Sequence, residues 1–261
     1  MQTMIVGAGS GIGRALAFEM AGRGHDLILA GRTQGHLEDI AREVSSGHNS
    51  IEVAIRRLDL VETEQCQALC SELRSTTERI NNFIYCAGVG KPAGGFRDFN
   101  PADLQEALTI NTVAPTTLIH GLLPALSGDH PLSRIVLIGA GMDRRIQPGT
   151  LSYGVSKMAL RRIFEQLSVE LVPDEGDPAV SLFQPGLVDT PGIRDHLSKA
   201  RFFNLPHAGW LDQRLKSGDS MSAEQAASAI AHTLDEVPIT DFHGTVFHGA
   251  DLVDTLSFSA S

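Results

Sequence analysis

Short apolar runs alternate along the chain with longer stretches whose apolar residues recur every three or four positions. The runs at 4–6, 26–30, 51–55, 83–86, 134–138, 180–184 and 244–248 are apolar almost throughout, as strands buried on both faces of a parallel sheet must be. Between them, residues 12–22, 35–45, 63–77, 101–126, 152–171 and 222–234 carry helical spacing. Strands and helices in strict alternation predict an α/β fold with one doubly wound, seven-stranded parallel sheet and helices on both faces. No repeat, low-complexity tract or linker divides the chain, so residues 1–261 read as a single domain. Only 189–219 lacks clear periodicity; it holds Pro191, Pro206 and the lone Trp210, and its place after the sixth strand suits a substrate-covering lid.

Composition narrows the function classes. A hydrophobic content of 42% and a charged content of 20% describe a globular protein, and a net charge of −10 argues against nucleic acid or an anionic membrane as partner. The longest apolar stretch, near 113–126, is broken by Pro115, His120 and Pro124 and is too short to span a bilayer. The N-terminus has no secretory pattern, and three cysteines make an incomplete disulfide set, so a reducing cytoplasm is expected. Cys66 and Cys70 share a helical face without a further ligand nearby; they read as packing residues, and no metal site is expected.

The chemistry begins at the first strand–helix junction. Gly7, Gly9, Ser10, Gly11, Ile12 and Gly13 form a glycine-rich turn there, whose backbone can approach a pyrophosphate at a helix N-terminus. After the second strand, Arg32 and Thr33 stand where an acidic residue would bind the adenosine ribose and repel a 2′-phosphate. The Arg32 guanidinium favours NADP(H). Asp59 and Leu60, after the third strand, are placed to flank the adenine. Tyr153 and Lys157 lie four residues apart on one helical face, so an ammonium beside a phenol is expected to pull the phenol toward its ionised form and ready it for proton transfer.

These motifs resemble the short-chain dehydrogenase/reductase superfamily from about Met4 to Ala250. The resemblance is carried by Gly7-x-x-x-Gly11-x-Gly13, Tyr85-Cys86-Ala87-Gly88, Asn111, Tyr153-x-x-x-Lys157 and Pro185-Gly186-x-Val188-x-Thr190, in that order. The region from Asp189 to Ala227 looks more like the sepiapterin reductase and benzil reductase branch. The resemblance implies a single-domain Rossmann fold, a homodimer or homotetramer, and a small-molecule carbonyl substrate. It assigns Ala87 and Gly88 to the adenosine side, and Pro185, Gly186, Val188 and Thr190 to the nicotinamide end. It makes Tyr153 the proton donor, Lys157 a ribose ligand, and Asn111 the link from Lys157 to solvent through water. The chain departs from the family at Val6, where a Thr is usual, and at Tyr85-Cys86, where a pair of Asn is usual.

The larger departure is Ala140. Thirteen residues before Tyr153 the family places a hydroxyl that polarises the substrate oxygen, and loss of one such donor costs a factor of about 10²–10³. Three readings follow: a reductase of ketone-, diketone-, pteridine- or quinone-like carbonyls with a substitute donor such as Asp143, Arg144, Ser152 or water; a non-redox enzyme catalysing dehydration, isomerisation or cyclisation; and a non-catalytic NADP(H)-binding protein. Arg144-Arg145 can attract an anionic group of the substrate or stand as a solvated pair, and His196, His207 and Trp210 in the lid are equally open.

Overall fold

The computed structural model describes residues 1–76, 79–91, 94–128 and 132–253. Seven parallel strands, β1 (Gln2–Val6), β2 (Asp26–Gly31), β3 (Val53–Arg57), β4 (Asn82–Tyr85), β5 (Arg134–Ile138), β6 (Ala179–Gln184) and β7 (Val246–His248), pair in the order β3-β2-β1-β4-β5-β6-β7. The order reverses between β1 and β4, so a crevice opens at the carboxyl ends of those two strands.

Side chains alternate across the sheet and feed two apolar cores. Met4, Val6, Phe83, Tyr85, Ile135 and Leu137 face α3 (Thr63–Ser75), α5 (Ala114–Leu126) and α6 (Leu151–Glu170). Ile5, Leu27, Leu29, Ile84 and Val136 face α1 (Gly11–Gly22), α2 (Gln34–Gly47) and α9 (Ala223–Asp235). Burial of both faces of the inner strands β2, β1, β4, β5 and β6 is why their sequences read as apolar runs, whereas the edge strands β3 and β7 are only partly buried.

The expected boundaries hold to within two residues, with physical reasons for the shifts. β3 begins at Val53, because its register with β2 runs from Leu27↔Val53 to Gly31↔Arg57. β7 begins at Val246, because Gly244 turns the chain at φ +73°. The helix expected over 101–126 comprises α4 (Pro101–Leu108), a π segment (Thr109–Val113) and α5. Residue 77, the expected end of the third helix, lies outside the described residues. The largest correction is at 189–219, which holds α7 (Pro191–Phe202) and α8 (Ala208–Ser217) around a small cluster of Leu197, Ala200, Leu205, Ala208 and Leu211. Their apolar stripe is narrow and the rest of each helix is charged, with pairs such as Lys199–Asp195 and Lys216–Asp212, so the periodicity is weak in sequence. α10 (Ile239–Phe242), a single turn after Pro238, was not expected.

Candidate active site

The glycine turn is built by contacts that exclude side chains. A Cβ on Gly13 would lie 2.2 Å from the Gly7 carbonyl oxygen, and one on Gly7, at φ +89°, would lie 2.6 Å from the Ala87 amide nitrogen. The turn therefore packs directly on β4's end, and a cavity of about 410 Å³ opens above it. Gly7, Gly9, Ser10, Gly11, Ile12, Gly13, Arg32, Thr33, Asp59, Leu60, Ala87, Gly88 and Thr190 line this cavity. Pro185, Gly186 and Val188 do not; they form the connection from β6 to α7, where Gly186 turns at φ +77° and the buried Val188 bridges to Met221. Thr190 joins the two regions, capping α7 through the Ile193 amide and lying 3.3 Å from the place a Gly11 Cβ would take. His36, four residues beyond Arg32 on α2, also lines the cavity with its ring against Gly9, and was missed because a lone histidine near a helix start carries no motif.

The cavity meets the test for a dinucleotide. Its turn leaves no room for Cβ atoms at Gly7 and Gly13, α1 points its N-terminus into it, and the cationic Arg32 stands at the β2 end with no carboxylate in that turn.

Lys157 and Asn111 close on Gly88, which lines this cavity, and Tyr153 packs against Gly90; none of the three lines the cavity itself. Lys157 is buried, donates to the Ile138 carbonyl at 2.7 Å, and has its ammonium 5.9 Å from the centre of the Tyr153 ring. Asn111 is wholly buried, donating from Nδ2 to the Val89 carbonyl and Ser156 Oγ and accepting from the Val89 amide, each at 2.8 Å. Ser156 Oγ in turn donates to the Tyr153 carbonyl.

The electrostatics correct the expected activation of the tyrosine. Burial, with a contribution from Asp143, pushes Tyr153 up to about 12, while burial pulls Lys157 down to about 8 against the opposing charge of Cys86 and Asp143. Removal of both groups from water outweighs their attraction, so the phenol keeps its proton at neutral pH.

Ala140 has an extended backbone, φ −159° and ψ 148°, and begins the single turn Gly141–Asp143. Of the proposed substitutes for its missing hydroxyl, two already have partners. Asp143 Oδ2 accepts from Arg161 at 2.9 Å and Gln184 at 2.7 Å while its Oδ1 is buried without one, and Ser152 Oγ donates to the Lys91 carbonyl. Arg144 is exposed. Asp143 and Arg144 line a second cavity of about 540 Å³ between the loop after β4 and the start of α6, with Phe96, Met142, Ile146, Val155 and Met158. Neither Ala140 nor Tyr153 lines it.

The α7–α8 segment carries a histidine pair. His196 on α7 and His207 before α8 meet through their Nε2 atoms at 3.0 Å, and Arg145 lies over the Trp210 ring, tying this segment to the loop after β5. Burial first, then the neighbouring His207, pulls His196 down to about 4, and burial lowers His207. Among the described residues no group of three potential metal ligands occurs, and no helix is long and apolar enough to cross a membrane. Cys66 and Cys70 are buried in the core, as expected of packing residues.

A family profile described as short chain dehydrogenase matches residues 2–200. The chain is 28% identical over 201 residues to 11-beta-hydroxysteroid dehydrogenase A of Sesamum indicum, covering 77% of this chain and 55% of the relative. It is 32% identical over 197 residues to 11-beta-hydroxysteroid dehydrogenase-like 3 of Arabidopsis thaliana, covering 74% and 60%. The chain thus spans only somewhat more than half the length of these relatives. The fold is shared with L-sorbose reductase of Gluconobacter frateurii, solved with NADPH and L-sorbose, at a TM-score of 0.79, 21% identity, and coverage of 95% and 94%.

Proposed function

The chain belongs to the short chain dehydrogenase family, and from that premise we propose that it is an NADP(H)-dependent reductase of a small-molecule carbonyl. The observation that carries this reading is the closure of Asn111 and Lys157 on Gly88, which lines the cavity above the glycine turn, with Tyr153 beside Lys157. Arg32 supports the phosphorylated cofactor, since its planar fork suits a 2′-phosphate. The reduced nicotinamide, when bound, supplies the hydride.

The protein's own residues supply the rest. Tyr153, with its proton held to about 12, is an acid across the neutral range and gives that proton to the carbonyl oxygen as negative charge develops there. Lys157 contributes a fixed cation beside the phenol and a ligand for the nicotinamide ribose, and Asn111 holds the backbone of Val89 against it. Ala140 gives no second hydrogen bond, so the substrate brings its own polarisation, as in a conjugated dicarbonyl, a pteridine or a quinone, or takes it from Arg144 or a water. A lid of α7 and α8 and an assembly of two or four copies complete the proposal.

The test is consumption of NADPH, followed at 340 nm, with diketones, pteridines and quinones. Turnover that vanishes in Tyr153→Phe supports the reductase. Product without net NADPH loss, or tight cofactor binding with no turnover across the panel, overturns it.

A further inference from the structure

The fourth strand ends on a tyrosine that the scheme above leaves unused, at a position where the sequence departs from its family. Tyr85 is fully buried, and its hydroxyl donates to the Ile110 carbonyl at 2.5 Å. That carbonyl lies in the π segment, where amides bond five residues back, as Ala114 does to Thr109. At this spacing the partner of Ile110 is Pro115, which has no N–H to give. The ordinary helical spacing offers no replacement, because the Ala114 amide is already committed to Thr109. Tyr85 reaches across from the sheet and fills the place of the missing amide.

The next residue is Asn111. Its side chain holds both the amide and the carbonyl of Val89, and through Ser156 it reaches the backbone of Tyr153. Thr112 adds a bond to the Ser156 carbonyl at 3.0 Å. A Cβ on Gly88 would lie 3.5 Å from both Asn111 Oδ1 and Lys157 Nζ, so the two side chains close on the same point of the loop after β4. The aim of Asn111 thus depends on a bulged turn, and the bulge depends on a donor that only the sheet supplies.

We propose that Tyr85 is a positioning residue: by donating to the carbonyl that Pro115 leaves without an amide, it fixes the π turn that aims Asn111 and so closes the site around Lys157 and Tyr153. The consequence for turnover rests on the reductase reading above, whereas the consequence for Lys157 does not.

Tyr85→Phe tests it, since it removes one hydroxyl and little volume. The groups facing Lys157 are Tyr153 on its own helix, Cys86 from β4's end and Asp143 from the loop after β5. With the turn loosened, water reaches Lys157 and its titration, read by NMR of protein labelled with [13Cε]lysine, moves up by about half a pH unit while thermal unfolding remains cooperative. Turnover falls about tenfold at unchanged KM. A Lys157 midpoint that stays put overturns the proposal. If the wild-type protein reduces no carbonyl, the reductase reading fails and the Lys157 shift still decides the role of Tyr85. Pro115→Ala restores an amide opposite Ile110, so the effect of Tyr85→Phe must shrink in that background, and the same shift in both backgrounds refutes the link.

Discussion

Arg161 donates to Asp143 at 2.9 Å across a nearly sealed contact, the carboxylate side chain 1% exposed and the guanidinium side chain 13%. Arg161 stands one helical turn beyond Lys157 and two beyond Tyr153 on α6, so the pair pins the loop that begins at Ala140 to the helix stripe that carries both residues. Removing one member of such a pair strands a buried charge. Arg161→Met, which leaves the sealed Asp143 carboxylate with Gln184 alone, is expected to cost about 3–5 kcal/mol in urea unfolding, whereas after Asp143→Ala the guanidinium keeps Glu165. The double variant Asp143→Ala, Arg161→Met is expected to recover part of that loss, since no charge is then left unpaired. Equal costs for the single and double variants would contradict the burial argument.

The pH dependence of the reaction follows from Lys157. Its folded value near 8 lies below the usual lysine range, so the ammonium is present below about 8 and is lost as pH rises through it. Tyr153, near 12, stays protonated over the same interval. Reduction is therefore expected to hold steady through neutrality and to decline on the alkaline side with a midpoint near 8, the decline arising from lysine and not tyrosine. The profile of kcat/KM for NADPH reads this directly, and a midpoint beyond 10 would be incompatible with a desolvated Lys157.

Arg32→Ala addresses cofactor choice. If the guanidinium meets a 2′-phosphate, the Kd for NADPH rises by about tenfold or more, the value of a charge-assisted bidentate contact, while that for NADH is nearly unchanged. Calorimetric titration with both nucleotides checks it. A parallel loss for both would instead assign Arg32 to the shared adenosine.

The glycines of the turn separate cleanly by what a methyl group would meet. Gly13→Ala drives a Cβ to 2.2 Å from the Gly7 carbonyl, a backbone atom that cannot yield, whereas at Gly9 the nearest atom is 3.7 Å away on the His36 side chain. Gly13→Ala is expected to lower the melting temperature and abolish nucleotide binding, and Gly9→Ala to leave the fold intact. Differential scanning fluorimetry distinguishes the two.

What the sequence revealed and what it concealed divide along physical lines. Strands buried on both faces are apolar without interruption, so β1, β2, β5 and β6 could be located closely, and a glycine required by a 2.2 Å approach announces itself. α7 and α8 could not be located this way, because they bury only a narrow stripe such as Leu197 and Ala200 and are otherwise charged. The direction of the Tyr153 shift was also hidden. Spacing places Lys157 beside it, but the balance between attraction and desolvation depends on burial, which three-dimensional packing alone supplies. Asp143 lines the second cavity as expected, but its inward bonds were hidden because Arg161 and Gln184 lie 18 and 41 residues away.

Ala140→Ser tests the missing donor itself. The residue is extended at φ −159° and ψ 148° and heads the turn Gly141–Asp143, with the Asp143 amide bonded to its carbonyl at 3.0 Å. A serine fits that backbone without strain, but at the head of a turn its oxygen is also drawn to the amides that follow, as at a helix N-cap. The full benefit of a preorganised donor, a factor of about 10²–10³, is therefore reached only in part, and roughly a tenfold gain in kcat at unchanged KM is expected. Steady-state kinetics at saturating NADPH measure it, with Tyr153→Phe as the inactive control. A rise in KM with no gain in kcat would mean that the alanine makes room for substrate, and that the substrate supplies the polarisation by its own structure.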